Sequence, residues 1–153
     1  MRQIDILLNE YAQSHQNKIN KLIHNVAVPA IYFVSLGLLY SIPQFELMLK
    51  YNVTFAHVAI IPTLYYYFKL SGPIGAAMTL MSMLGLYLIG ILESQHISVW
   101  KFSLVLFVVM WILQFIGHHI EGKKPSFFKD LQFLLIGPAW LMHFIFKKVG
   151  ISY

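Results

Sequence analysis

The chain alternates long apolar runs with short polar interruptions, and the length of the runs is the first informative quantity. A helix crossing a bilayer needs ~20 mostly apolar residues. Four stretches approach that length: 22–42, 53–68, 73–92 and 99–117. The second is short, and the first contains Pro29. Proline lacks an amide hydrogen and bends a helix, which membrane helices tolerate where a neighbour satisfies the freed carbonyl. The connections SIPQFELMLKY, KLSG and ESQHIS are short, so sequential helices should be antiparallel neighbours. The predicted fold class is all-α, a polytopic membrane bundle with four transmembrane helices.

Two flanking segments complete this picture. Ile4, Leu7, Leu8 and Tyr11 recur at helical spacing, with Asp5, Asn9 and Glu10 between them. That pattern predicts an amphipathic helix lying on the membrane or covering the cytoplasmic end of the bundle. Asn17 is suited to cap the helix that follows. A fifth apolar stretch, 127–146, carries Lys129 and Asp130 near its start and Gly137-Pro138 in its middle. A helical hairpin broken at Gly-Pro is expected there ahead of a fifth span. The chain thus reads as one integral membrane domain, 1–153. It comprises an amphipathic segment 1–21, four spans over 22–117, and a His/Glu loop with a C-terminal helical segment over 118–153.

Composition sharpens the membrane reading. Of 153 residues, 58% are hydrophobic and 11% charged, against ~25% charged in soluble domains. A soluble domain of this size has too little interior to hide so much apolar surface. The absence of cysteine excludes a disulfide scaffold, thiolate-bound zinc and iron–sulfur clusters. The net charge of +5 does not point to nucleic acid, because the basic residues form no dense face. Their distribution points to topology. With a cytoplasmic N-terminus and a returning C-terminal segment, only Lys50 and Lys101 fall on the far side, leaving nine cations inside. The opening 21 residues lack the apolar core of a secretory signal peptide, so the apolar segments are expected to stay in the mature protein.

The chemistry lies in the histidines, of which there are seven. The threading brings His15, His24, His118 and His119 to the cytoplasmic end, and His143 joins them if the last segment doubles back. His57 and His96 fall on the far side. Asn20 and His24, four apart, share a helical face. His15 precedes His24 by nine residues, which on one straight helix separates them by ~180°. It reaches the same site only if the chain turns near 15–17. His118 and Glu121 share a face, whereas His119 is rotated by ~100° from His118, so one of the adjacent pair points away. Imidazoles with a carboxylate suit iron, zinc, manganese or copper. Glu121 is either a ligand or a partner that orients a histidine. Lys18, Lys21, Lys123 and Lys124 are either membrane-surface cations or attractors for an anionic substrate. No GxSxG elbow, Walker-type loop or GxGxxG is present. The glycines of SGPIGAAMTLMSMLGLYLIG suit close helix packing.

The pattern Tyr11-x3-His15-x4-Asn20-x3-His24-x4-Pro29, with Gln114-Phe115-Ile116-Gly117-His118-x2-Glu121-x3-Pro125 and the later Pro138, resembles the Mpo1-like family over essentially the whole chain. The resemblance implies Fe(II)-dependent α-oxidation, in which a 2-hydroxy fatty acid reacts with O2 and emerges one carbon shorter. It assigns the metal to His15, His24 and His118; His119, which departs from the family's pattern, is a further candidate ligand. Glu121 accompanies these residues in catalysis, and Asn20, Lys21, Lys123 and His143 are candidate substrate contacts. The implied partners are the lipid substrate, O2 and the bilayer. The implied location is a bacterial inner membrane, or the endoplasmic reticulum in a eukaryote. The rival readings are a non-enzymatic lipid-binding or assembly protein, a haem protein and a zinc lipid hydrolase. Oligomeric state is left open.

Overall fold

A computed structural model describes residues 2–122 and 127–152, with side chains for 2–122 and 135–152. The elements are α1 (Gln3–Gln13), α2 (Lys18–Tyr40), α3 (Glu46–Lys50), α4 (Phe55–Leu70), α5 (Gly72–Ser94), α6 (Val99–Glu121) and α7 (Phe127–Val149). Among the described residues there is no strand. Among the described residues, three helices are long and apolar enough to cross a membrane: α2, α5 and α6, each of 23 residues, with mean hydropathies of 1.8, 1.9 and 2.1. The second apolar stretch forms α4, a helix of 16 residues. At 1.5 Å per residue it spans about 24 Å, less than the ~30 Å hydrocarbon core.

Helix α2 is the hub, packing against α4, α5, α6 and α7. Its long contact with α6 depends on small residues. A Cβ at Gly37 would collide with the side chain of Ser103, and one at Gly117 would collide with Asn20 Oδ1. These two contacts also establish that α2 and α6 run antiparallel. The opposite face of α6 exposes Val105, Val108, Ile112 and Phe115, as a lipid-facing helix does when the surrounding solvent is hydrocarbon.

The amphipathic stripe of α1 is realised. Ile4, Leu7, Leu8 and Tyr11 are buried, and they join Tyr67, Ile74, Met78, Ile136, Ala139 and Trp140 in one cluster. Tyr67 and Ile74 lie near the α4–α5 junction, so α1 closes one end of the bundle while packing on α7. A second cluster (Leu36, Ala56, Ile89, Val99) fills the opposite end.

The C-terminal hairpin is not formed, which corrects the sequence expectation. Phe127–Val149 is one helix with Pro138 inside it. Gly137 is a packing contact: a Cβ there would stand 3.0 Å from Val28 and 3.2 Å from Tyr11 Oη. Pro138 is fully buried, and the Tyr67 hydroxyl donates to the Leu135 carbonyl at 2.6 Å in the turn that the proline disturbs. A neighbouring helix thereby supplies hydrogen bonding where the backbone ladder is interrupted.

Candidate metal centre

A short turn builds the site. Helix α1 ends at Gln13, and the Ser14 hydroxyl donates back to the Tyr11 carbonyl at 3.0 Å. Asn17 then starts α2, its Oδ1 accepting from the Ile19 amide at 2.8 Å. The reversal at 14–17 brings His15 against His24, their ring centroids 4.3 Å apart. The antiparallel α6 brings in His118, 5.0 Å from His24 and 5.8 Å from His15 between centroids. His15, His24 and His118 each offer a nitrogen, and these nitrogens lie within 4.8 Å of one another.

Hydrogen bonds indicate which nitrogens face the centre. His15 Nδ1 is 2.7 Å from the Tyr11 carbonyl. A carbonyl only accepts, so Nδ1 carries the proton and Nε2 keeps its lone pair. His24 Nδ1 stands 3.3 Å from Tyr11 Oη. His24 Nε2 is buried and has no hydrogen-bond partner among the described residues. With Nδ1–H donating to the tyrosine oxygen, Nε2 presents a lone pair to the centre. One tyrosine thus orients two imidazoles, through its carbonyl and its hydroxyl. Its ring also stacks on His15 at 4.0 Å and 10° between planes. Trp140 of α7 closes the other side, 5.2 Å from Tyr11 and 5.9 Å from His15. A buried imidazole nitrogen lacking a partner costs free energy unless a cation takes its lone pair. The three residues therefore fit a divalent metal that prefers imidazole.

A family model described as "2-hydroxy-palmitic acid dioxygenase Mpo1-like" matches residues 1–149. The chain belongs to the Mpo1-like family. The curated "2-hydroxy-palmitic acid dioxygenase MPO1" of Saccharomyces cerevisiae is 31% identical over 144 residues, covering 92% of this chain and 78% of the yeast protein. No solved structure matches the chain.

In this Mpo1-like chain Glu121 stands outside the group of converging nitrogens. Its Oε1 accepts from the Gln16 amide at 2.7 Å, and its Oε2 accepts from the Asn17 amide at 3.0 Å and from Asn20 Nδ2 at 2.9 Å. The carboxylate fastens the turn that carries His15 to the end of α6, one helical turn past His118. Asn20 completes the fastening, fully buried beneath Gly117.

The remaining candidates are dispersed. His119 is exposed and lies outside the group of converging nitrogens. On a helix it points about 100° away from His118. His143 is half-buried on α7, its ring 5.2 Å from that of Phe144, and it too is outside the cluster. Lys21 is half-buried beside Asn20 on α2, and Lys123 lies outside the described residues. His57 has a local duty, its Nδ1 accepting from the Thr54 amide at 3.1 Å to cap α4. Sequence reasoning missed Tyr11 and Trp140 as parts of the site. Tyr11 is four residues before His15, a spacing that places both rings on one helical face. Trp140 had no local signal.

Proposed function

We propose that this chain is a membrane dioxygenase that uses Fe(II) and O2 to shorten 2-hydroxy fatty acids by one carbon. The observation that carries the reading is the meeting of three imidazoles, two of them buried, at one end of an apolar helical bundle. The printed name of the yeast relative supports the substrate class.

In this reading His15, His24 and His118 would hold the iron. Bound Fe(II) would supply the redox chemistry that lets O2 react with the acid, whose second carbon becomes the new carboxyl while the first leaves as carbon dioxide and the remaining oxygen atom as water. The remaining work belongs to side chains. Tyr11 keeps the imidazoles in the ligating tautomer, and Glu121 keeps His15 in register with His118. Trp140 and the apolar face of α1 cover the centre and exclude water. Lys21 and Lys123 draw the substrate carboxylate toward this end, which the lysine distribution places on the cytoplasmic side. The acyl tail stays in the hydrocarbon, gaining ~0.8 kcal/mol per methylene on leaving water.

Mass spectrometry of 2-hydroxypalmitic acid incubated with purified protein, Fe(II) and air tests this directly. The expected product is pentadecanoic acid, formed only with both iron and oxygen. Iron-loaded protein that leaves the acid intact, or that turns it over equally well without oxygen, overturns the reading.

A further inference from the structure

The buried positions of α6 are Val99, Ser103, Gln114 and Gly117. Gln114 is 7% exposed, and it lies in a helix of mean hydropathy 2.1. A primary amide taken out of water without partners costs ~1–3 kcal/mol. In membrane helices such a residue ordinarily bonds across to a neighbour. On the facing helix the polar side chains near this level are Asn20 and His24. Gly117 meets Asn20 and Ile23, and Gly37 meets Ser103 and Val99. In that antiparallel register, three residues inward from Gly117, Gln114 comes level with His24 and the apolar Ala27 and Val28. It forms no hydrogen bond to a described residue. His118, Gln114 and Trp111 recur on successive turns along one edge of α6, and Trp111 Nε1 is buried with no hydrogen-bond partner among the described residues. Polar groups lacking partners thus continue from the metal centre toward the bilayer.

We infer that Gln114 recognises the polar end of the substrate, its carboxamide pairing with the 2-hydroxyl and the carboxylate of the bound acid. The inference rests on the functional reading above. A carboxamide offers one acceptor and two donors. The head of a 2-hydroxy acid presents the complement, a hydroxyl that donates and a carboxylate that accepts. An acid lacking the hydroxyl forfeits half of this pairing, so Gln114 also makes the site selective.

The test uses full-length protein in lipid nanodiscs, loaded with Fe(II) and kept anaerobic so that binding is read without turnover. Radiolabelled 2-hydroxypalmitic acid and palmitic acid are the probes, and metal content is measured in parallel. Gln114→Leu and the unbranched Gln114→Met are expected to retain one metal per chain. Both should weaken 2-hydroxypalmitic acid about ten- to hundredfold, the range for a hydrogen bond to a charged or strongly polar group. Palmitic acid should weaken less, so the preference between the two acids narrows. Unchanged affinity for 2-hydroxypalmitic acid in both variants overturns the inference. So does loss of metal from both, which makes Gln114 a structural residue, and so does wild-type protein that binds the two acids equally. Selective, Gln114-dependent binding without aerobic product formation leaves this inference standing and removes the oxidation reading instead.

Discussion

Replacing His24 by alanine is expected to strip the protein of stoichiometric metal and of all turnover while the helices still form and insert. His24 is 3% exposed and lies between the other two imidazoles. Its loss leaves His15 and His118, the most widely separated pair of rings at 5.8 Å between centroids, and two imidazoles hold a divalent ion far more weakly than three. Removing a partner that only orients a ligand costs ~10–100-fold in affinity, and removing the ligand costs more. The alanine also removes a buried nitrogen that has no partner in the absence of a cation, so the metal-free protein should not be greatly destabilised. Elemental analysis of tag-free protein with circular dichroism separates these effects. Full metal content in a normally helical His24→Ala variant contradicts the assignment.

Glu121→Ala should produce the second largest effect by a different route. The carboxylate accepts from two backbone amides of the turn and from Asn20. Three donors lose a charged acceptor, and His15 loses its tether to α6. Metal affinity is expected to fall ~10–100-fold, as for other groups that hold ligands in place. The thermal midpoint should fall as well, because α2 and α6 are no longer fastened at this end. Excess Fe(II) distinguishes an anchor from a ligand. Saturating iron should restore turnover to Glu121→Ala and fail to restore it to His24→Ala. Equal, iron-insensitive loss in both variants would place Glu121 on the metal.

The pattern of the sequence carried much of this site because its parts obey local rules. The stripe from Ile4 to Tyr11, the cap at Asn17 and the need for a turn near 15–17 all follow from helical spacing and capping chemistry. Once that turn is granted, antiparallel threading is enough to bring His118 toward His15 and His24. The same rotation argument foresaw that one of His118 and His119 must point away, without saying which. Gly137-Pro138 misled because a glycine and a proline in isolation signal a break. Gly137 serves instead to let α7 approach Val28 and Tyr11, a reason that exists only once the helices are packed. Trp140 was illegible for a related cause, and Gln114 was visible only as part of the family pattern, with no role attached. An apolar ring or a lone amide in a hydrophobic helix gains a role only from what faces it.

The account depends on three imidazoles sharing one metal ion. X-ray absorption at the iron K-edge, on tag-free protein reconstituted anaerobically with Fe(II), measures that sharing directly. One iron per chain, with scattering from three imidazole rings that drops to two in His118→Ala protein carrying excess iron, is the predicted result. Iron well below one per chain, or an iron environment without imidazole scattering, contradicts it.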